Sequence, residues 1–520
     1  MSNHQPSPAS DVIIRRINAL APAGSTLTPS IIEELKEETQ ELIALFQAQG
    51  KLQENPAALA MNRTVDLHRE AAHAGLQGKC VLVTGGAGCV GTRLIPLLRE
   101  LGAQRIVVVD IAEAQGPGGA PEDFTWLSAF KVDIRDADAL DAVFAAVRPD
   151  IVFHLASIRE PGRAEAVVRE AIETNVFGTR NVINACIRHG VGDAVYSSTG
   201  KCFAYVSDHV YTGSKKLAEA QWVWAARSAP LTRFRFTRFT HIMENGIVAQ
   251  DIADGIDNGV IGLHGPDRNF NIQNLRQASH LLVNALALSA QTPADGFWAA
   301  VDLGWPVNTL ELALYKIHRS EKPVAVHFLG VPKGYDELFF RGQFSWSGEA
   351  EYHPLINALE ASTGFSDSTG TMVGARVQPF DKDALDGELE TLEAALNNAN
   401  LNFTEVKNAL TGAVSGLARA VFVQAELSRL IDILWSGAAP AWAGENASEA
   451  ARFQKIIGLL TDCITDRLRR APNAVAIERR QMLLEVAETL VQVESLSARG
   501  TLLKTAMQPQ ASVIPLMSVQ

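Results

Sequence analysis

Val81-Leu82-Val83-Thr84-Gly85-Gly86-Ala87-Gly88-Cys89-Val90-Gly91 is the stretch whose reading decides the fold. Apolar, β-prone residues run straight into Thr84-Gly85, glycines recur at Gly88 and Gly91, and an amphipathic run, Thr92–Leu101, follows at once. A buried strand that turns sharply into a helix is the first crossover of a dinucleotide-binding fold. The first glycine permits the tight turn, the second lets backbone approach a pyrophosphate, and the third lets helix pack on strand. Free N–H groups and the positive end of the helix then face the phosphates. A second strand, Arg105–Val109, ends in Asp110. A carboxylate there suits a ribose 2′-hydroxyl and repels a 2′-phosphate, so NAD is expected over NADP. The competing reading is a glycine-rich turn in another kind of α/β protein; the strand before and the helix after argue against it.

Outward from this turn, strand-like runs alternate with helical ones. The strands are read at Val81–Thr84, Arg105–Val109, Ala129–Val132, Ile151–Leu155, Ala194–Ser197 and Leu231–Phe239, with helices at Leu94–Leu101, Ala137–Val147, Ala164–Asn184 and Lys215–Arg227. Such alternation predicts an α/β fold, a doubly wound parallel sheet of the Rossmann kind with helices on both faces. The expected organisation is a helical N-terminal extension (1–76), the dinucleotide-binding domain (77–250), a smaller substrate-binding part interleaved with the last sheet strands (251–378) and a C-terminal helical bundle (379–520). In the extension, Thr28-Pro29 reads as an N-cap with proline at the first helical position, and Gly50 closes the run. In the bundle, Leu385, Leu389, Leu392 and Leu396 recur at helical spacing, followed by long apolar-sided runs at Val414–Leu434, Ala447–Leu468 and Ala474–Leu496. Gly437–Gly444 reads as a turn between helices.

Composition bounds the function. The chain has 520 residues, 47% of them hydrophobic and 20% charged, which suits a multidomain globular protein. Its formal net charge of −12 disfavours nucleic acid and anionic membrane as partners. The five cysteines are scattered without metal-ligand spacing, so reduced thiols, no metal site and a cytoplasmic setting are expected. Met1–Ser10 lacks the apolar core of a signal peptide, and nowhere do 18 apolar residues run together to span a membrane.

The strongest catalytic pair is Tyr211 and Lys215, four residues apart and therefore on one helix face. An ammonium near a phenol stabilises phenolate and makes tyrosine usable as a general base. The pattern gains value from following the strand Ala194–Ser197 and the hydroxyl cluster Ser197-Ser198-Thr199. Asp133, at the end of the third strand, is read either as facing the adenine or as a helix cap. His154 is read as a histidine bonded to backbone near the cofactor rather than as a base.

From about Lys79 to Glu337 the chain resembles the extended short-chain dehydrogenase/reductases, and most of all their nucleotide-sugar epimerase and 4,6-dehydratase branch of capsular-polysaccharide biosynthesis. The similar blocks, in order, are Thr84–Gly91, Pro149–Ala156, Glu173–Thr179, Ser198–Cys202, Tyr211–Glu219, Arg238–His241 and Val301–Val307. The resemblance implies a cofactor site of Gly85, Gly88, Cys89, Val90, Gly91, Asp110, Asp133, Ile134, Ala156, Asn175 and Lys215. It implies that Tyr211 removes a sugar hydroxyl proton while NAD takes hydride from the same carbon. Lys215 would hold the nicotinamide ribose and Thr199 the reacting hydroxyl. Ser198 and His241 would meet the substrate, a nucleotide sugar, and Arg268 would either lie near its phosphates or simply cap a loop.

Three departures bear on the reaction. Gly200 stands where the family's dehydratases carry an acid after the Ser-Thr pair, and glycine cannot help water leave; Lys201 is retained and could assist. The family's arginine-containing block appears as Pro332-Lys333-Gly334-Tyr335-Asp336, and His241 replaces an asparagine. Epimerisation is therefore favoured over 4,6-dehydration. A net NAD-dependent dehydrogenase of another hydroxylated metabolite and a non-catalytic cofactor-binding scaffold are the alternatives. Fold-level analogy adds a homo-oligomer, with the helical extensions as a candidate interface.

Overall fold

Six strands alternate with helices: β1 (Cys80–Thr84), β2 (Arg105–Asp110), β3 (Leu127–Lys131), β4 (Ile151–His154), β5 (Asp193–Thr199) and β6 (Arg233–Phe239). They run parallel in the order β3-β2-β1-β4-β5-β6. Val81–Thr84 and Ile151–His154 are buried throughout, as strands covered by helices on both faces must be. The computed structural model describes residues 8–112, 125–244, 247–303, 306–344, 353–439, 447–471 and 475–508. Four short strands follow: β7 (His241–Ile242), β8 (Val260–Leu263), β9 (Asn269–Phe270) and β10 (Ile272–Gln273). Next come β11 (Gly296–Ala300), β12 (Val307–Asn308), β13 (Ala325–Phe328), β14 (Phe365–Ser366) and β15 (Met372–Arg376). Strand β11 pairs parallel with β6, and β15 and β14 close that edge antiparallel. Strand order reverses between β1 and β4, so the crevice at their carboxyl ends is where a ligand binds in such sheets.

The chain divides into two units. One comprises residues up to Cys202 with His209–Glu337 and Phe365–Arg376; the other comprises Phe203–Asp208, Leu338–Gly364 and the residues from Val377 on. The first unit absorbs the N-terminal helices. Thr28 caps the helix Pro29–Ala48 by accepting from the Ile31 N–H, and Leu35, Leu42 and Phe46 share a core with Ile252, Ile261, Val326 and Phe328. The Thr39 hydroxyl accepts from the Val326 N–H at 2.9 Å, which pins that helix to β13.

In the second unit Leu385, Leu389 and Leu392 are buried along the helix Lys382–Asn397. The run read as Val414–Leu434 is two helices, Phe403–Gln424 and Leu427–Ala438. Arg467 donates to the carbonyls of Phe422 and Ala425, which satisfies the chain end where the break occurs. The turn read at Gly437–Gly444 falls largely outside the described residues.

The stretch read as one helix, Ala164–Asn184, is also divided. It forms Pro161–Ala166, Val168–Ile172, a π-helical turn at Glu173–Gly178 and Thr179–Arg188. Within the π turn Asn175 is buried and bonds both backbone groups of Ile158, at 2.8 and 3.1 Å. Among the described residues no helix is long and apolar enough to cross a membrane.

Candidate active site

The glycine turn is built as its sequence demands. Gly85 sits at φ +71°, and a Cβ there would stand 2.5 Å from the Ala156 backbone nitrogen. Gly91 opens the helix Cys89–Glu100 against the Gly86 carbonyl, where a side chain has no room. Gly88 precedes that helix without a side-chain cap, which leaves the first N–H groups for an anion. At the end of β2 the Asp110 carboxylate accepts from the Ala87 N–H at 3.0 Å and the Ala112 N–H at 3.1 Å, so it is fixed beside the turn. Backbone cradle, helix end and single carboxylate together fit NAD.

Beneath the turn, His154 is fully buried between the hydroxyls of Thr84 (2.7 Å) and Thr179 (2.9 Å). Its partners are thus side chains, not the backbone. Thr179 already donates to the Asn175 carbonyl, so His154 donates from Nε2 and accepts at Nδ1. Burial pushes its pKa down to about 3, and it stays neutral.

Tyr211 and Lys215 lie at the carboxyl end of β5. The helix Val210–Ser228 begins with its Val210 N–H donated to Glu165, and it carries Tyr211 and Lys215 on one face. Burial drives the Tyr211 phenol up to about 12, and the nearby Thr199 hydroxyl only partly offsets this. Lys215 does not reach that phenol. Its ammonium donates to the Ser197 carbonyl at 2.8 Å and lies 4.3 Å from the Tyr196 ring centre. Burial lowers its pKa to about 8. The phenolate support expected from a neighbouring ammonium is therefore weak in this geometry.

Several expected site residues have bonding or packing partners within the protein. Ser198, read as a substrate contact, is buried and donates its hydroxyl to Glu219 at 2.6 Å. Asn175, read as a cofactor ligand, spends its amide on Ile158 and on Ser214, 3.0 Å away. Asp133 accepts from the Arg135 backbone N–H and pairs with its guanidinium at 2.6 Å, while Asp136 caps the next helix. Ile134 packs against Gly178. The charge of Arg268 disfavours a protonated His264, and the Arg268 carbonyl accepts from the Thr309 N–H at 2.9 Å.

His241 ends on β7 with its ring 5.4 Å from that of Phe270, at an apolar cavity of about 20 Å³ lined by Met243, Ile272 and Val307. Burial, with the charges of Arg159 and Lys201, pushes its pKa down to about 4. Two residues escaped the sequence reading. Arg159, exposed just beyond β4, bonds the Cys89 sulfur at 3.6 Å, and its charge is felt at Tyr211. Glu337 accepts from Lys201 at 2.9 Å and from the Thr212 hydroxyl at 2.7 Å. Among the described residues no group of three or more His, Cys, Asp or Glu is placed to hold a metal ion.

Glycine turn, Asp110 at the end of β2 and tyrosine-lysine helix in this order on one sheet edge define an extended short-chain dehydrogenase/reductase. Residues 81–341 match the family described as "Polysaccharide biosynthesis protein", and the chain belongs to it. It is 25% identical over 286 residues to the probable polysaccharide biosynthesis protein EpsC of Bacillus subtilis, covering 52% of this chain and 46% of that one. Over 171 residues it is 31% identical to a UDP-N-acetylglucosamine 4,6-dehydratase (inverting) of Campylobacter jejuni, covering 32% and 50%. Over 123 residues it is 35% identical to a UDP-glucose 4-epimerase of Halalkalibacterium halodurans, covering 24% and 35%. The chain thus spans half or less of the length of these curated relatives. Among solved structures, Pen from Bacillus thuringiensis is similar at 20% identity with a TM-score of 0.48, covering 59% of this chain and 90% of that one.

Proposed function

We propose that this chain is an NAD-dependent enzyme that transiently oxidises a hydroxyl of a nucleotide sugar and then returns the hydride, with epimerisation favoured over 4,6-dehydration. The observation that carries the reading is the buried Tyr211 beside Thr199 at the carboxyl end of β5, on the sheet edge that also carries the glycine turn. Bound NAD supplies the hydride acceptor. Gly85–Gly91 and the helix end behind them would hold its pyrophosphate, Asp110 its adenosine ribose and Lys215 its nicotinamide ribose. Thr199 and Tyr211 would orient the sugar hydroxyl, with Tyr211 taking its proton. Gly200 offers no acid to help water leave, which favours isomerisation over elimination.

The reading is tested by denaturing the purified protein and separating released nucleotides by anion exchange. NAD or NADH in the extract is expected. A protein that releases neither and binds neither sinks the reading. A product eighteen mass units lighter than a nucleotide-sugar substrate would instead reverse the order of epimerisation and dehydration.

A further inference from the structure

Tyr196 stands on β5 just before Ser197, and the centre of its ring lies 4.3 Å from the Lys215 ammonium. Neighbouring elements fix that ring. His154 on β4 stacks on it at 5.3 Å between ring centres and Trp222 at 5.1 Å, with the planes only 21° and 29° apart. Trp222 follows Lys215 by about two helical turns, so both reach the ring from one face of the same helix. The Trp222 indole N–H donates to the Arg235 carbonyl at 2.9 Å, which anchors the stack to β6. Tyr196 and Lys215 are both buried.

A buried ammonium needs partners, and few are within reach. It carries three donors, and among the described residues the acceptor it meets is the Ser197 carbonyl, at 2.8 Å. Glu219, one turn further along the helix, favours the charge, but its carboxylate is held by Arg238 and Ser198. Cys202 faces the ammonium as a neutral thiol, pushed by burial up to about 12, and His154 as a neutral ring. The Tyr196 ring supplies what these lack. The negative face of its π system attracts a cation, most strongly where water is excluded. An aliphatic side chain would fill the same space beside His154 and Trp222 and offer the ammonium nothing.

We propose that Tyr196 is a positioning residue for Lys215: its ring and the Ser197 carbonyl form a seat that keeps the buried ammonium protonated at the carboxyl end of β5, with its other donors open to a bound group. The inference rests on the reading under Proposed function, in which that group is the nicotinamide ribose. An amine without its proton keeps N–H donors but no charge, and its bonds to ribose hydroxyls lose their charge assistance. The ring acts through Lys215 and touches no reacting atom.

The test melts the full-length natural chain, Tyr196→Leu and Tyr196→Phe across neutral to alkaline pH, each also in a Lys215→Met background. In the natural chain stability begins to rise near pH 8, where the folded lysine gives up its proton ahead of the unfolded one. Without the ring that onset should move about one pH unit lower, the size of a buried cation–π contact. With phenylalanine it should stay in place. NAD retained after washing at stepped pH, read by anion exchange, should likewise be lost about one unit earlier in Tyr196→Leu and not in Tyr196→Phe. Pentafluorophenylalanine at position 196 keeps the ring's shape and reverses its field, so it should shift the onset even where the leucine variant fails to fold. An onset unmoved by leucine or by the fluorinated ring, or a shift that survives in the Lys215→Met background, overturns the proposal. Absence of NAD and NADH from the denatured chain overturns the reading under Proposed function instead, and the onset of the melts still decides the seat.

Discussion

The Glu219 carboxylate grips the Arg238 guanidinium at 2.6 and 3.1 Å, and the two side chains are only 4% and 1% exposed. Arg238 also lies 3.9 Å from the centre of the Phe297 ring, and Ser198 donates to the same carboxylate. The pair thus ties the tyrosine helix to β6 and β5 directly under the site. Removing one partner strands a buried charge. Glu219→Ala is expected to cost about 3–5 kcal/mol in urea unfolding, whereas replacing both residues by apolar ones should cost much less.

The same pair sets an acid limit. Arg238 and Ser198 overcome the effect of burial and hold the folded Glu219 carboxyl below its ordinary value of 4.5. The folded state therefore binds this proton less readily than the unfolded one. The stabilisation is fully present above pH 4.5 and is lost as the pH falls through the folded pKa. Acid unfolding followed by circular dichroism should show a shallower loss in a double variant at 219 and 238.

Lys215 works in the opposite sense. Its folded pKa of about 8 lies below its ordinary 10.5 because burial disfavours the ammonium. Between those values the unfolded chain holds a proton that the folded chain has released, so stability rises with pH across that window. Lys215→Met should flatten the profile there. An unchanged slope in thermal melts between pH 8 and 10.5 would contradict the burial argument.

Tyr211→Phe removes one hydroxyl from a helix that is otherwise well packed. Turnover should fall by about 10²–10⁴-fold or more while bound nucleotide and melting temperature stay close to those of the natural chain. In the same pair of proteins, ultraviolet difference titration should place the lost phenol near pH 12, as burial requires.

Gly85→Ala asks for a side chain at φ +71° and 2.5 Å from the Ala156 nitrogen. Strain of about 1–3 kcal/mol is expected, together with loss of bound nucleotide, because the turn must open to admit the methyl group. Nucleotide content by absorbance and a thermal melt read the two effects separately.

The sheet and its cofactor edge were legible because their causes are local. Val81–Gly91 needs only its own neighbours to form a strand, a turn and a helix, and Asp110 follows from the next strand. Tyr211 and Lys215 share a face by helical spacing alone. The π turn at Glu173–Gly178 and the helix break near Ala425 were hidden because each serves a partner elsewhere in the chain: Asn175 bonds Ile158, and Arg467 satisfies carbonyls more than forty residues away.

Sequence by itself determined the class of fold and the order of its functional blocks, since hydrophobic period, glycine placement and short spacings act within a few residues. Tertiary structure alone decided which partners the buried polar side chains bond. Ser198 and Asn175 turned inward because buried polar groups must find partners. Lys201 and Glu337, 136 residues apart, meet because the turn after Pro332 carries a carboxylate back to the end of β5. No spacing along the chain encodes that meeting; only the packed sheet does.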